Sequence, residues 1–287
     1  MQQPFICHTP RNNHTNVIYS SPHSGRIYNA NFLGQTALSL KDIRASEDCY
    51  VDQLLTSVTH SGATLLEACF PRSFVDVNRA AYDLDKNLIE KLNISSSDPR
   101  TAAGLGVVPR IVGEGVEIYR QKLSLEEVNC RLDTCYFPYH KQLQKLIKGA
   151  IKNFGTAILF DFHSMPHNCL ENKTSDKSSV PQIVIGDCFG SSCTPSFSED
   201  VFDIFVSEGF SVIKNNPFSG GFITKHYGVS HQNIQAIQIE IDRSLYMDEQ
   251  NLTLSDGFFE LKNKLSDVVH ALSNMKEKKR YSVHAAE

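Results

Sequence analysis

Two histidines and a late glutamate in this chain have the side-chain types that metal-assisted hydrolysis requires. His23 and His163 each follow an apolar run, and Glu240 lies close to the end of another. Two imidazoles and a carboxylate with an open fourth position suit a catalytic zinc, because the open position holds a water whose pKa falls to about 7. A further carboxylate must then accept the water's proton, and Glu240 is the candidate.

The segment around His163 has the pattern of a buried strand with polar chemistry at its end. Residues 156–160 are apolar or β-branched, and Asp161, His163 and Ser164 follow them. Ligands bind at the carboxyl ends of central strands in open α/β sheets. A single strand-end histidine is more often a hydrogen-bonded structural residue. The site interpretation is favoured because other predicted strands end in complementary chemistry.

The third metal ligand is less well defined by the residues alone. Ser46 is a good N-cap and predicts a helix with apolar positions at 51, 54, 55 and 58. Glu47 and Asp48 would then occupy its first turn, where the helix dipole favours carboxylates in any case. The spacing therefore leaves both residues open.

The elements that must position these residues alternate between strands and helices. Predicted strands cover residues 16–21, 63–70, 156–160, 182–187, 210–214 and 235–242, and predicted helices begin near 46, 124, 198 and 255. The helix from 124 is interrupted or kinked at Pro138. This order predicts a mostly parallel sheet with its chemistry at one edge. We expect one α/β domain over residues 1–275 and a polar C-terminal tail over 276–287.

Composition excludes several classes of partner. The 287 residues carry a net charge of −4, which gives no basic surface for nucleic acid. No apolar run approaches the roughly 20 residues that cross a bilayer, and the first residues lack the pattern of a secretory signal. Eight scattered cysteines indicate reduced thiols in a cytoplasmic protein rather than a disulfide framework. A small-molecule partner fits best.

Seven short motifs, in order, resemble the N-formylglutamate amidohydrolase family. They are Pro22-His23-Ser24-Gly25, Ser46-Glu47-Asp48, Asp76-Val77-Asn78-Arg79, Ile118-Tyr119-Arg120, Asp161-Phe162-His163-Ser164, Asn216-Pro217-Phe218-Ser219-Gly220-Gly221 and Glu240-Ile241-Asp242-Arg243. The order is also similar to that of zinc carboxypeptidases. The resemblance implies a zinc-carboxypeptidase-like (phosphorylase/hydrolase-like) α/β fold with a mostly parallel or mixed central sheet flanked by helices.

The resemblance implies hydrolysis of N-formyl-L-glutamate to formate and L-glutamate, a step of histidine degradation. One zinc per chain, Zn(2+), would be held by His23, Asp48 and His163, with Glu240 as the base. Asp48 is preferred to Glu47 because the later acid of this stretch recurs in the amidohydrolases. The peptidases differ here, since they use a compact His-x-x-Glu and this chain has Arg26 at the corresponding position.

The substrate roles also come with the resemblance. An acidic N-acyl amino acid needs fork-shaped donors, which arginine supplies. Asn78 and Arg79 would hold one carboxylate and Arg243 the other, while Arg120 would face the oxyanion of the tetrahedral intermediate. Ser219 and Gly220 would allow the backbone to approach the substrate closely.

Two other functions remain open at this point. The first is a deacylase or carboxypeptidase that acts on another N-acyl amino acid or short peptide. The second, from a different class, is a catalytically silent protein that binds an acidic metabolite. The presence of both histidines and Glu240 argues against the silent protein, and the absence of G-x-S-x-G argues against a serine hydrolase.

Overall fold

A seven-stranded mixed sheet forms the centre of the computed structural model, which describes residues 3–12, 14–93, 96–113, 115–171 and 180–275. The predicted tail, 276–287, lies outside the described residues. The strands are β1 (Phe5–His8), β2 (Val17–Ser21), β3 (Thr64–Ala68), β4 (Ile111–Val112), β5 (Val116–Glu117), β6 (Ala157–Met165), β7 (Ile183–Gly186), β8 (Val212–Lys214), β9 (Ile234–Asp242), β10 (Met247–Asp248) and β11 (Thr253–Leu254). The main sheet has the order β1-β3-β2-β6-β9-β7-β8.

Strands β3, β2, β6 and β9 run parallel to one another in the middle of this sheet. β1 is antiparallel to β3, and β7 is antiparallel to β9, while β8 runs parallel to β7. The two short pairs, β4–β5 and β10–β11, lie outside the main sheet. The prediction of a mostly parallel or mixed sheet flanked by helices is therefore confirmed.

Ten α-helices surround the sheet in the described part of the chain. They are α1 (Ala30–Gln35), α2 (Leu40–Ile43), α3 (Val51–Leu54), α4 (Pro99–Ala102), α5 (Leu125–Arg131), α6 (Phe137–Phe154), α7 (Asn168–Glu171), α8 (Pro195–Ser207), α9 (Phe222–Tyr227) and α10 (Gly257–Ser273). Short 3₁₀ turns cover Arg44–Ser46, Ser230–Gln232 and Arg243–Leu245.

Side-chain alternation along the strands builds two hydrophobic layers. Phe160 and Phe162 of β6 and Ile239 of β9 pack on the face covered by α3, α8 and α10. Leu159 of β6 and Ala236 of β9 pack on the opposite face, which α5, α6 and α9 cover. Because successive side chains of a strand point to opposite faces, Asp161, His163 and Glu240 lie on this second face. There they continue past the apolar layer towards the carboxyl ends of β6 and β9.

The helix predicted to begin at Ser46 is much shorter in the structure. Ser46 ends a 3₁₀ turn, Tyr50 has a left-handed backbone with φ of 65°, and α3 covers only Val51–Leu54. Asp48 therefore lies in an irregular segment and not in a first helical turn. The apolar positions 51, 54, 55 and 58 are buried as predicted.

The interruption predicted at Pro138 occurs as a π-helical turn, Leu132–Tyr136, between α5 and α6. The N–H of Phe137 donates to the carbonyl of Leu132, one residue farther back than in an α-helix. Proline has no N–H to donate, so a regular α-helix would be broken here, and the wider turn accommodates it. Among the residues that the structure describes, no helix is long and apolar enough to span a membrane.

Candidate metal centre and substrate cavity

Three side chains from distant parts of the chain converge at the carboxyl edge of the sheet. His23 Nδ1 and His163 Nδ1 lie 3.1 Å apart. Asp48 Oδ2 lies 3.0 Å from His163 Nδ1 and 3.4 Å from His23 Nδ1. All three residues are at most 2% exposed. The structure thus brings together the three residues predicted as metal ligands.

The local backbone explains why these side chains meet. His163 lies near the end of β6, and His23 lies in the turn after β2, the neighbouring strand. Gly25 lets this turn pack closely, since a Cβ there would overlap the carbonyl oxygen of Phe70. The N–H of Asp48 donates to the carbonyl of His23 over 3.0 Å, which holds the carboxylate beside the imidazole.

A carboxylate orients each imidazole from behind. His23 Nε2 lies 2.8 Å from Asp76 Oδ1, and His163 Nε2 lies 2.8 Å from Asp161 Oδ2. Each Nε2 therefore donates to its carboxylate, which leaves both Nδ1 lone pairs facing Asp48 Oδ2. Partners of this kind fix the tautomer and orientation of histidines that bind metals.

The residues present fit a divalent cation. Three acceptor atoms that face one another in a buried site repel unless a cation or a proton lies between them. Donors about 2.0–2.1 Å from a tetrahedral zinc are about 3.3 Å from one another, and the observed separations are 3.0, 3.1 and 3.4 Å. Two imidazole nitrogens and one carboxylate oxygen are also a common donor set for zinc.

Glu47 does not take part in this group, although its residue type alone would have allowed it. Its carboxylate accepts hydrogen bonds from Tyr28 Oη at 2.5 Å and from Arg44 Nε at 3.0 and 3.2 Å. The thiol of Cys49 donates to the same carboxylate. The choice of Asp48 over Glu47 therefore agrees with the geometry.

The contacts of Arg243 differ from the predicted ones. Its Nη2 donates to Asp48 Oδ1 over 3.1 Å, and its Nε donates to Ser164 Oγ over 3.1 Å. Nη1 donates to the carbonyl of Ala45. Although Arg243 lines the cavity, these described contacts are made within the protein, because the carboxylate nearest to its guanidinium belongs to Asp48 itself. The geometry therefore favours a role in positioning Asp48 over the predicted role in binding substrate.

Charges within the group shift the pKa values of its members. Burial raises the pKa of Asp48, but its contacts with His163 and His23 outweigh burial and hold the pKa well below its usual value. Burial lowers the pKa of His163, but Asp161 and Asp48 outweigh it and raise the pKa well above its usual value. The carboxylates thus favour positive charge between the two imidazoles. A divalent cation would supply that charge in place of a proton shared between the imidazoles and Asp48.

Glu240 lies beside the candidate metal group on the next strand. It is the register partner of His163 in the β6–β9 ladder and is buried. Burial raises its pKa to about 7, with His163 lowering it and Asp48 raising it further. Gln238 Nε2 donates to Glu240 Oε1 over 2.8 Å, and Gln238 Oε1 accepts from the N–H of Gly221. Gln238, which was not predicted, connects the carboxylate to the glycine-rich loop.

A cavity of about 310 Å³ opens in front of these residues. Four arginines and three carboxylates line it, and the two histidines of the group lie on its wall. The charged lining residues are Arg72, Arg79, Arg100, Arg243, Asp48, Asp76 and Glu240. With a divalent cation held by His23, Asp48 and His163, this balance of charge would favour an anionic ligand.

Asn78 and Arg79 both line the cavity but differ in their contacts. Asn78 Oδ1 accepts from the N–H of Ile223, and its Nδ2 lies 3.5 Å from Asp161 Oδ2. The Nε of Arg79 has no hydrogen-bond partner among the described residues, although its side chain is largely buried. Its closest carboxylate contact is Asp76 Oδ2 at 3.8 Å. Arg79 thus has donor capacity for a ligand, whereas Asn78 also connects two loops.

The backbone of this segment is held from behind by the helix that contains the π turn. Tyr136 Oη donates to the carbonyl of Arg79 over 2.8 Å, and His140 Nε2 donates to the carbonyl of Val77 over 2.9 Å. The Nδ1 of His140 therefore accepts from Tyr227 Oη. Burial lowers the pKa of His140 to about 4.

Ser219 and Gly220, in the glycine-rich loop, also line the cavity. Gly220 has a φ of 126°, and the backbone of this loop packs against Gly186 at the end of β7. A Cβ at Gly221 would overlap the side chain of Asn78. Close packing therefore explains the glycines before any ligand is considered.

The structure does not bring Arg120 to the cavity. Arg120 is exposed and follows Tyr119, which bridges to Thr36. Arg72 lies on the cavity wall instead, with its Nε 3.0 Å from Asp76 Oδ2. Its position just after β3 is the same strand-end signal that identified His163. That signal therefore could have indicated Arg72.

Comparisons with known proteins agree with this geometry. A family model described as N-formylglutamate amidohydrolase matches residues 15–247. The N-formylglutamate deformylase of Pseudomonas putida is 31% identical over 81% of this chain and 82% of that protein. The N-formylglutamate amidohydrolase of Ralstonia eutropha has a solved structure with a TM-score of 0.88 and 31% identity, covering 95% of this chain and 98% of that one. A gene product of Agrobacterium tumefaciens, with a TM-score of 0.65 and 16% identity, covers 96% of this chain and 97% of that one, and shares the fold.

Proposed function

The chain belongs to the N-formylglutamate amidohydrolase family, and from this premise we propose that it hydrolyses N-formyl-L-glutamate to formate and L-glutamate with one zinc ion per chain. The observation that carries the proposal is the convergence of His23, Asp48 and His163 beside Glu240, in a cavity rich in arginine. The names of the 30–31% identical relatives support N-formylglutamate as the substrate.

His23, Asp48 and His163 would hold the cation. A bound zinc supplies Lewis-acid polarisation of a carbonyl and lowers the pKa of a water. The remaining contributions come from this chain. Asp76 and Asp161 fix the two imidazoles, and Arg243 fixes the carboxylate of Asp48.

Glu240 is the proposed general base and acid. As a carboxylate it accepts a proton from the attacking water, and it then delivers that proton to the nitrogen of the breaking formyl amide bond. A pKa near 7 suits both steps, because the group can accept and release a proton at neutral pH. The hydrogen bond from Gln238 fixes the orientation of this carboxylate.

Arg72 takes the role that the sequence had suggested for Arg120. Negative charge develops on the formyl oxygen as water attacks, and a fixed cation nearby stabilises it. Arg72 lies on the cavity wall, and its charge acts on both Asp48 and Glu240. Arg79, with its unused Nε donor, would bind the α-carboxylate of the substrate. The cytoplasm remains the proposed location, supported by the scattered cysteines.

Formate release from a panel of substrates tests the proposal. N-formylglutamate should be hydrolysed faster than N-formylaspartate, N-acetylglutamate or a dipeptide, and a chelator should abolish the activity. Metal analysis of the purified protein should find about one zinc per chain. Faster hydrolysis of N-acetylglutamate or of the dipeptide would identify a deacylase or peptidase instead. Activity that survives complete metal removal would reject the metal-dependent mechanism.

A further inference from the structure

A substrate with two carboxylates needs a second cation besides Arg79, and the structure limits which residue can supply it. Arg243 is occupied by Asp48, Ser164 and Ala45. Arg120 does not line the cavity. Among the described residues, the cationic side chains that remain on the cavity wall are Arg72 and Arg100.

Arg72 and Arg100 differ in how much of their charge is already used. Arg72 Nε donates to Asp76, the carboxylate that also orients His23. The guanidinium of Arg100 makes no ion pair or hydrogen bond within the described part of the chain. Arg100 is exposed, so its guanidinium is solvated when no ligand is bound.

The backbone that carries Arg100 is well anchored. Arg100 belongs to α4, whose N-cap Asp98 accepts hydrogen bonds from the N–H groups of Arg100 and Thr101. Thr101 is buried, and the carbonyl of Arg100 accepts from the N–H of Leu105. The guanidinium therefore extends from a fixed point on the cavity rim.

Arg100 stands where two cavities meet. It lines the inner cavity of about 310 Å³ and also an outer one of about 790 Å³, as Arg79 does. Burial and the positive charges of Arg72 and Arg100 lower the pKa of Arg79, with Asp76 opposing them. Two guanidinium groups close enough to interact at one junction repel each other, and an anion with two carboxylates would offset that repulsion.

Substrate chemistry assigns the two carboxylates. The α-carboxylate is attached to the carbon that bears the formylated nitrogen, so it must lie close to the reacting bond. The side-chain carboxylate lies farther away along a flexible chain. Arg79 approaches Asp76 to within 3.8 Å, and Asp76 orients His23, so Arg79 is the inner cation and Arg100 the outer one.

We infer that Arg100 binds the side-chain carboxylate of the substrate and thereby selects acidic over neutral N-acyl amino acids. This inference rests on the proposed function. Bidentate pairing of a guanidinium with a carboxylate accounts for the selectivity, because a neutral amide at the same place cannot accept the same charge-assisted bonds.

The test compares N-formylglutamate with N-formylglutamine, which has nearly the same shape but no side-chain charge. For R100Q, kcat/KM on N-formylglutamate should fall about 10- to 100-fold, the usual range for losing a charge-assisted hydrogen bond. The change should appear mainly in KM, because the contact lies away from the reacting bond. On N-formylglutamine the change should be less than about threefold, so the preference for glutamate should collapse.

K225Q is the matched control. Lys225 lines the outer cavity and not the inner one. The K225Q substitution therefore removes one positive charge without changing the junction of the two cavities. It should alter the ratio of the two kcat/KM values by less than about twofold, because the proposed contact is direct rather than a general field effect. R100K, which keeps the charge but loses the fork, should give an intermediate ratio and serves as the second variant if R100Q unfolds.

Several outcomes decide the inference. If R100Q leaves the ratio of the two kcat/KM values unchanged, whether or not both values fall, the inference is overturned. If wild-type protein is active on N-formylglutamate, this outcome leaves the proposed function intact. A change of the ratio in K225Q as large as that in R100Q would also overturn the inference. A wild-type protein without activity on N-formylglutamate would overturn the proposed function first.

Discussion

The cavity has a metal corner, formed by His23, Asp48 and His163, and an arginine-lined mouth, formed by Arg79 and Arg100. The two regions are built in opposite ways. In the metal corner, each imidazole and Asp48 have a partner on the side away from the group's centre, and all three residues are at most 2% exposed. At the mouth, Arg79 has an unused donor and Arg100 no ion-pair partner in the described chain. Fixed, satisfied groups suit a small cation that demands a set geometry. Unsatisfied groups on a fixed backbone suit a ligand that arrives and leaves.

This difference indicates where the protein has to be rigid. A metal ligand displaced by a fraction of an ångström changes coordination, so its orientation must be enforced by hydrogen bonds. A guanidinium that meets a carboxylate can adjust, and it loses binding energy if its donors are already occupied.

Removing the charge of Glu240 should have the largest effect. E240Q keeps the size of the side chain but cannot accept the proton, so kcat should fall about 10²- to 10⁴-fold. The metal content should remain that of wild type, because Glu240 lies outside the three ligands. Formate release and metal analysis on the same preparation check both points. A rate within threefold of wild type would remove Glu240 from the mechanism.

Arg72 and Arg120 provide a direct test of the corrected assignment. R72Q should lower kcat about 10²-fold, since a cation near developing negative charge typically contributes that much. R120Q should change kcat by less than about twofold, because Arg120 is exposed and does not line the cavity. Parallel kinetics on N-formylglutamate measure both variants. The reverse order of effects would restore Arg120 and reject Arg72.

Substitution of Asp161, the carboxylate behind His163, should weaken metal binding more than substrate binding. D161N leaves the side-chain size nearly unchanged but weakens the hydrogen bond that orients His163 Nε2. Metal affinity should fall about 10- to 100-fold, as measured by competition with a chelator. With zinc in excess, KM should stay within about threefold of wild type. A larger change in KM than in metal affinity would contradict the division between corner and mouth.

His140 links pH to the stability of the segment that carries Arg79. Its pKa is lowered to about 4 in the folded protein, so an unfolded chain binds the proton more readily between about pH 6.5 and 4. Its neutral form therefore stabilises the fold fully above about pH 6.5, and that contribution, about 3 kcal/mol at most, is lost as pH falls towards 4. The physical cause is burial of the imidazole, which disfavours its charged form.

Denaturant unfolding of wild type and H140Q at pH 7 and pH 5 measures this effect. The difference between their free energies of unfolding should shrink at pH 5, because only wild type loses the contribution of neutral His140. A constant difference across this range would show that the pKa of His140 is not lowered by folding. The effect of this substitution on activity should be smaller than the preceding ones, since His140 is not among the described residues that line the cavity.

Sequence patterns predicted every described strand of the main sheet except β1, together with the residues at the strand ends. A continuous apolar run over residues 156–160 predicted β6, and alternation along residues 235–242 predicted β9. Parallel neighbours bring their strand ends to one edge of the sheet. His163 and Glu240 could be identified for that reason. Burial of positions 51, 54, 55 and 58 was also predicted correctly. The hydrophobic pattern indicates which side chains are buried, even where it does not indicate the length of the helix.

The pairing of the charged residues could not be read from the sequence. The choice between Glu47 and Asp48, the attachment of Arg243 to Asp48 and the positions of Arg72 and Arg120 all depend on which segments meet. An arginine is compatible with a surface, a salt bridge or a ligand, and its sequence neighbours do not distinguish these environments. Hydrophobic periodicity reports which face of an element is buried, whereas the partner of a charge is set by contacts between residues far apart in the chain.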